Sequence, residues 1–284
     1  MPITTERHPI TFTFDLERSP TDGVGARRFR DTVARVLGFL TDRGIAGTVF
    51  VVGELAESEP GLVRDAVAGG HEVGLHGYRH VPLPELDATT LADDVRRGKH
   101  LLEDLTGRAV TGYRAPYFSL VATTPWAPDV IARAGFTYSS SVLPAANPLF
   151  GFPGAPDAPF RWPSGLVELP VPLVRLGRAA LPFLGGIYLR LLPLPVVRFA
   201  LARHRVDAPA LWTYCHPYDF DPDEPFRVLP HLGWAQSRLL WANRRRMLAK
   251  LGRLFEQGAG EPLGVRLARG TIPAPAVAPR FAPD

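Results

Sequence analysis

Strand-like and helix-like segments alternate along the first half of this chain, and this alternation limits its fold more than any other feature. Residues 48–52 form a short, continuous apolar run, which is typical of a strand covered on both faces. Residues 29–40 place apolar side chains at helical spacing and are followed by Gly44. The alternation predicts an α/β fold of parallel βα units with right-handed crossovers. Further strands are predicted at 10–17, 72–75, 111–114 and 135–138, with helices at 62–68, 91–105 and 130–134.

The second half of the chain is less regular. A stretch rich in Pro, Gly and Ala, residues 143–163, predicts a long loop that could wall a substrate groove. Strands are predicted at 168–171 and 210–216, a closing helix at 236–255, and a frayed Pro/Ala-rich tail at 273–284.

Residues 181–202 are the most apolar segment. Pro182, Pro193 and Pro195 interrupt it, and Arg190 and Arg198 add charge, which argues against a membrane-spanning helix. We predict a buried or interfacial helix pair, with shallow peripheral membrane contact as the alternative.

Composition excludes several classes of protein. A hydrophobic fraction of 46% with 21% charged residues is that of a folded globular chain. Cys215 is the only cysteine, so no intramolecular disulfide can form, and the polar residues 1–9 lack the apolar core of a signal peptide. We therefore expect a cytoplasmic protein. The net charge is +4, and the basic residues look dispersed except at 27–28 and 244–246. We interpret those two clusters as solvated helix faces and expect no nucleic-acid partner.

Chemically active side chains recur where strands are predicted to end. Asp15 and Glu17 close the first strand, His76 follows the third, Arg114 ends the fourth, and His216 ends the last. In folds built from parallel βα units, the chemistry collects at the carboxyl ends of the strands. The sequence therefore predicts one site that combines these residues.

Two residue spacings favour a metal centre at this site. His76 and His80 are four residues apart, so a helical turn there would place both imidazoles on one face, where they suit Zn²⁺. Asp15 and Glu17 share one side of a strand, so one carboxylate could bind a metal while the other stays free as a base. Alone, the histidine pair is better interpreted as two exposed or hydrogen-bonded side chains, and the acids as a solvated pair at a strand end; the combination of the two pairs favours the metal site.

These motifs resemble the polysaccharide deacetylase family (carbohydrate esterase family 4-like), metal-dependent carbohydrate esterases that include chitin and peptidoglycan deacetylases. The resemblance extends over roughly residues 10–221 and is strongest in Gly-Leu-His-Gly-Tyr-Arg-His at 74–80 and Tyr-Arg-Ala-Pro-Tyr at 113–117. The segments at 15–17, 185–193 and 214–222 resemble the branch associated with bacterial exopolysaccharide biosynthesis.

The resemblance implies a distorted, incomplete (β/α) barrel, a single catalytic domain at 1–272, and one divalent ion, usually zinc. It also implies a role for each matching residue. Asp15 would be the catalytic base and His216 the acid, with Arg114 orienting Asp15. His76 and His80 would be metal ligands. The backbone N–H of Tyr117, after Pro116, would help to hold the oxyanion.

The chain departs from the family pattern at one ligand. Many members carry two adjacent aspartates, the second a metal ligand, but here that position is Leu16. We predict that Glu17 replaces it, because Glu17 shares a face with Asp15 and has a longer reach. The carboxylate partner of His216 is left open between Asp219 and Asp221.

The implied activity is removal of an N-acetyl group from an amino sugar in a polysaccharide, oligosaccharide or sugar conjugate, releasing acetate. Two alternatives stay open, namely an allantoinase-like cyclic-amide hydrolase and a non-catalytic carbohydrate-binding protein with a decayed metal site. Five aromatic residues are candidates to stack on sugar rings, and we expect at least half of them to be core: Phe118, Trp126, Trp162, Trp212 and Tyr218.

Overall fold

The computed structural model describes residues 9–19, 27–177, 179–203, 210–229 and 233–273. A seven-stranded sheet forms its centre, in the order β1-β2-β3-β4-β5-β7-β6. All neighbours in it are parallel except β6, which pairs antiparallel with β7, and β8 and β9 form a separate antiparallel hairpin. The strands are β1 Thr13–Leu16, β2 Thr48–Val51, β3 Glu72–Leu75, β4 Gly112–Tyr113, β5 Tyr138–Ser139, β6 Phe160–Arg161, β7 Val167–Glu168, β8 Leu173–Leu176 and β9 Ala179–Pro182.

Helices connect the parallel strands and continue through the C-terminal half. They are α1 Arg27–Thr41, α2 Gly53–Ser58, α3 Pro60–Ala68, α4 Ala88–Thr106, α5 Ala127–Arg133, α6 Gly186–Leu191, α7 Leu194–Arg203, α8 Trp234–Trp241, α9 Met247–Leu254 and α10 Leu263–Ala268. The predicted alternation is therefore confirmed, with α2 as an additional helix that the sequence pattern did not indicate.

The sheet continues beyond β1 into residues 210–216, which the sequence predicted as a strand. This segment runs parallel to β1 through bridges at Trp212 and Cys215, and the Asp15 N–H donates to the Cys215 carbonyl at 2.8 Å. Residues 210–216 and the strands from β1 to β7 therefore form one continuous sheet that resembles an incomplete barrel.

The strand register determines which residues lie together at one edge of this sheet. Leu16, Val51, Leu75, Tyr113 and Ser139 are successive partners across five parallel strands. The first residue after each of these strands therefore lies at the same edge of the sheet. These residues include Glu17, His76, Arg114 and Ser140.

Two sequence predictions about the C-terminal half are wrong. The helix expected at 236–255 is broken, because Asn243 adopts a left-handed conformation (φ 60°) and donates from Nδ2 to the Arg190 carbonyl at 3.2 Å. The cluster at 244–246 is not a uniformly solvated face either, because Arg244 is buried and paired with Glu224. Burying a guanidinium costs much free energy unless a carboxylate pairs with it, which explains the pairing.

The apolar segment at 181–202 begins in β9 and then forms the predicted helix pair, α6 and α7. Among the described residues, no helix is both long and apolar enough to cross a membrane. The loop at 143–163 is irregular apart from β6 at its end. The predicted tail at 273–284 lies outside the described residues except for its first residue.

Gly98 on α4 gives a test of the packing between this helix and β3. A Cβ atom there would lie 2.5 Å from a methyl carbon of the buried Leu75. We expect Gly98→Ala to lower the free energy of unfolding by about 1–3 kcal/mol, because overpacking outweighs the gain in helix propensity. Gly38→Ala on α1, where a Cβ meets nothing within 4 Å, should instead raise it by up to about 1 kcal/mol. Urea denaturation of both variants checks the opposite signs, and a stabilised Gly98→Ala protein would contradict this packing.

Candidate active site

The centre of the site is a buried ion pair between Asp15 and Arg114. Nη1 of Arg114 lies 2.5 Å from Oδ1 of Asp15, and the same guanidinium donates to the hydroxyls of Thr13 and Ser140 at 2.8 and 3.0 Å. The guanidinium carbon also lies 4.4 Å from the ring centroid of Trp212. These contacts fix the position of Arg114. Arg114 in turn binds Oδ1 of Asp15 and does not bind Oδ2.

Three side chains converge next to this pair. Oε2 of Glu17 lies 3.3 Å from Nε2 of His76 and 2.5 Å from Nε2 of His80. One ligand atom from each residue lies within 4.8 Å of the other two. Ligand atoms bonded to one tetrahedral zinc ion at about 2.0–2.2 Å are roughly 3.3 Å apart. The spacing therefore fits a shared cation, and Glu17 reaches the position that Leu16, buried in the core, does not.

The protonation states also fit a cation. Nδ1 of His76 lies 2.9 Å from the Arg114 carbonyl oxygen. Because a carbonyl only accepts, Nδ1 carries a hydrogen, and Nε2, which faces Glu17, is the nitrogen that could bind a metal. Nε2 of His80 is buried and has no hydrogen bond of acceptable geometry within the described part of the chain. Burial would raise the pKa of Glu17, but His76, His80 and His216 together hold it well below its ordinary value. A carboxylate and two imidazole nitrogens form a donor set for a divalent metal.

The two histidines meet through a loop and not through a helical turn, so the helical interpretation of their spacing is wrong. Gly77 and His80 adopt positive φ angles of 70° and 56°. Asp94 on α4 holds the loop by accepting from the Tyr78 N–H at 2.6 Å and from the Arg79 N–H at 3.3 Å. The sequence gives no direct sign of this contact, because Asp94 lies on a different element.

His216 lies on the other side of Asp15, with its Nε2 3.7 Å from Oδ2 of Asp15. Its Nδ1 lies 3.0 Å from Oδ2 of Asp219, and Oδ1 of Asp219 lies 2.7 Å from Nε of the buried Arg190. Asp219 is thus the carboxylate partner that the sequence left open, whereas Asp221 pairs with Arg28. The spacing of three residues, with Asp219 also accepting from the His216 N–H at 2.9 Å, is that of a helix-capping pair and was the available signal.

Opposing effects act on the pKa of His216. Burial lowers it, while the hydrogen bond to Asp219 and the negative charges of Glu17, Asp219 and Asp15 raise it, and the result is a pKa of about 9. His216 is therefore protonated at neutral pH, with Nε2–H facing the cavity and Nδ1–H held by Asp219.

The turn at 115–118 closes the site with strained backbone. Tyr117 has a φ of 59°, and its N–H donates to no protein acceptor among the described residues. Pro116 is buried at the start of the turn, while the Tyr117 side chain is 49% exposed. Strain of this kind gathers where a backbone group is positioned for a ligand.

The aromatic candidates divide between core and site. Trp162 and Trp212 are buried, and Trp126 packs against the main core. Phe118 and Tyr218 instead line a cavity of about 60 Å³, together with Asp15, Glu17, His76 and His216. The Tyr218 ring stacks on His216 at 4.7 Å, and its hydroxyl lies 3.4 Å from Oε1 of Glu17. The expectation that at least half of the five are core is met.

Comparisons with known proteins match the two halves of the chain separately. Residues 3–139 match the family model for polysaccharide deacetylase, and residues 140–259 match a domain of unknown function (DUF3473). A peptidoglycan deacetylase of Helicobacter pylori is 31% identical over 111 residues, which cover 39% of this chain and 37% of that protein. The chain thus spans little more than a third of this relative's length.

Solved structures extend the likeness of fold to the whole chain. A Mycobacterium smegmatis protein crystallised as a candidate polysaccharide deacetylase has a TM-score of 0.60 at 22% identity, over 100% of this chain and 98% of that one. A family 4 carbohydrate esterase from Streptomyces lividans, in complex with acetate, has a TM-score of 0.50 at 16% identity, over 94% and 98%. The predicted barrel-like α/β fold in a single domain is confirmed. Over residues 3–139, just under half of its length, the chain is therefore similar to the polysaccharide deacetylase family.

Proposed function

We propose that this protein hydrolyses the N-acetyl group of an amino sugar in a polysaccharide, oligosaccharide or sugar conjugate, with one divalent ion, Zn²⁺, as cofactor. The observation that carries the proposal is the convergence of Glu17, His76 and His80 beside two groups suited to acid and base roles, Asp15 and His216. A bound cation would polarise the amide carbonyl and make a water more acidic.

Asp15 is proposed as the base. Arg114 occupies Oδ1, so the proton from the attacking water passes to Oδ2, which faces the cavity and His216. The water oxygen then bonds to the carbonyl carbon. The N–H of Tyr117, which has no protein acceptor among the described residues, is proposed to stabilise the oxygen that becomes negative.

His216 is proposed as the acid that completes the reaction. Its Nε2–H gives a proton to the amine nitrogen as the carbon–nitrogen bond breaks, which releases acetate and a free amino sugar. Asp219 holds the opposite ring nitrogen, so the ring presents Nε2 to the cavity. Arg190 fixes Asp219 from behind.

Asp219 gives a prediction about pH. His216 acts as an acid only when protonated, so activity is lost as pH rises through its pKa. Asp219→Asn removes a contact that raises this pKa, so the alkaline limb of the kcat profile should move to lower pH by about one unit or more. An NMR titration of the His216 ring gives the same shift without turnover. Asp221→Asn, which changes a neighbouring acid bound to Arg28, should leave both curves in place, and an unmoved limb in Asp219→Asn would contradict the assignment.

Acetate release tests the proposed function. Zinc-loaded protein is incubated with N-acetylated chitooligosaccharides or peptidoglycan fragments, and with a cyclic ureide in parallel. Acetate release from a sugar supports the proposal. Ring opening of the ureide alone would favour the allantoinase-like alternative, and no turnover together with no zinc binding would favour a decayed carbohydrate-binding protein. The link to exopolysaccharide biosynthesis stays a prediction from three short motifs.

A further inference from the structure

Charge is divided unevenly along this chain. Residues 169–206 and 225–255 contain thirteen Lys and Arg residues and no Asp or Glu, whereas the other 215 residues contain 19 basic and 28 acidic residues. We call these two stretches the basic unit. Basic residues occur along the whole chain, so their positions alone do not show this division. It becomes visible only because these two stretches contain no Asp or Glu. A charge asymmetry of this size points to an anionic partner.

Hydrogen bonds join the helices that the structure describes in these two stretches. Nζ of Lys250 donates to the carbonyl oxygens of Leu189 and Arg190 at 2.6 and 3.3 Å. Nη1 of Arg190 donates to the Leu240 carbonyl at 2.6 Å, and Nη2 of Arg198 to the Arg253 carbonyl at 3.5 Å. Helices α6 and α7 are thereby tied to α8 and α9, and their arginines share one region of the molecule.

Much of this positive charge has no carboxylate partner in the part of the chain that the structure describes. Exposed arginines elsewhere often pair with acids, as Arg97 does with Glu57 and Arg269 with Glu261. Six exposed arginines of the basic unit pair with no carboxylate of the described residues: Arg203, Arg227, Arg238, Arg245, Arg246 and Arg253.

The basic unit also exposes large apolar side chains. Of the eight exposed large hydrophobic residues in the described part of the chain, six lie in it. Val196 and Phe199, three residues apart on α7, are 44% and 55% exposed, and the Arg203 guanidinium lies 4.9 Å from the Phe199 ring. Trp234 at the start of α8 is 64% exposed. The other three are Leu181, Val228 and Leu239.

Unpaired arginines and exposed apolar side chains together favour one kind of partner. Nucleic acid offers phosphates to arginines but no apolar interior for valine, leucine and phenylalanine. An anionic bilayer offers both, since arginines meet the headgroups while apolar and tryptophan side chains enter the boundary with the acyl chains. Helix α7 has ten residues, which suits lying on a membrane and not crossing it.

We propose that the basic unit docks the protein on the surface of a membrane rich in anionic phospholipid, with Phe199 and Trp234 entering the interface and the unpaired arginines binding headgroups. None of the arginines or exposed apolar residues named for this surface lines the cavity of the candidate active site, and the proposal does not depend on the proposed function.

Vesicle sedimentation of the full chain tests the proposal. Vesicles of phosphatidylcholine mixed with phosphatidylglycerol should bind the protein at physiological ionic strength, and phosphatidylcholine alone should not. Arg245→Glu with Arg246→Glu should weaken binding by at least about thirty-fold, since each arginine near an anionic surface contributes roughly a factor of five. Phe199→Ser should weaken it by about ten-fold.

Matched controls lie outside the basic unit. Leu149→Ser removes an apolar side chain that is 74% exposed, and Arg64→Glu with Arg108→Glu reverses two exposed charges. Both should bind vesicles as the unaltered protein does, and thermal unfolding confirms that every variant is folded. Absent vesicle binding, equal losses in the controls, or tighter binding to duplex DNA than to anionic vesicles would each overturn the proposal.

Discussion

Asp15→Asn is expected to lower kcat for acetate release by about 10²–10⁴-fold while zinc stays bound. The amide has nearly the shape of the carboxylate and still accepts from Arg114, but it takes no proton from water. Since Asp15 is not among the three converging ligands, zinc affinity should change little. Kinetics on a chitooligosaccharide and calorimetric zinc titration measure the two properties separately.

The control for Asp15→Asn must separate catalysis from stability. The variant leaves the buried Arg114 without its carboxylate, and breaking a buried ion pair often costs about 3–5 kcal/mol. Retained zinc binding shows that the site is still folded, and assays belong below the midpoint of thermal unfolding. Asp42→Asn changes an exposed acid after α1 and should have full activity. Undiminished turnover in Asp15→Asn would remove Asp15 as the base.

Glu17→Ala is expected to weaken zinc binding by more than about 100-fold, because even partners of metal ligands contribute 10–100-fold. Turnover at limiting zinc should fall in parallel. Glu54→Ala, an exposed acid at the start of α2, is the matched control and should bind zinc normally. Calorimetric titration measures each affinity, and unchanged zinc affinity in Glu17→Ala would contradict the assignment of this ligand.

A second substitution sharpens the test of Glu17. Leu16 is 1% exposed, on the core side of β1, so an aspartate there would face apolar packing and not His76. Adding Leu16→Asp to Glu17→Ala should therefore fail to restore zinc binding and should destabilise the fold. Restored binding would show that the strand presents its ligand from the family's usual position.

The strand-end residues could be predicted from sequence because the parallel register is regular. Alternation within β1 places Asp15 and Leu16 on opposite sides, and the aligned ends of β1, β3 and β4 bring Glu17, His76 and Arg114 to one level. The end of each strand can be predicted from the local sequence pattern. Parallel pairing in register then brings these ends together.

Other parts of the site depend on contacts between distant elements. The positive φ of His80 and the capping of its loop by Asp94 join residues from two elements. Arg190 supports Asp219 from α6, and the largely apolar sequence around Arg190 does not indicate this contact. The break at Asn243 likewise follows from its contact with the Arg190 carbonyl. Tertiary contacts override local propensity at each of these points.

Anomalous diffraction at the zinc absorption edge, from crystals grown with zinc, tests the central claim most directly. The account predicts one strong peak within bonding distance of Glu17, His76 and His80, with Asp15 beside it and outside bonding distance. Crystals that show no peak there, with the two imidazoles directed to other partners, would contradict it.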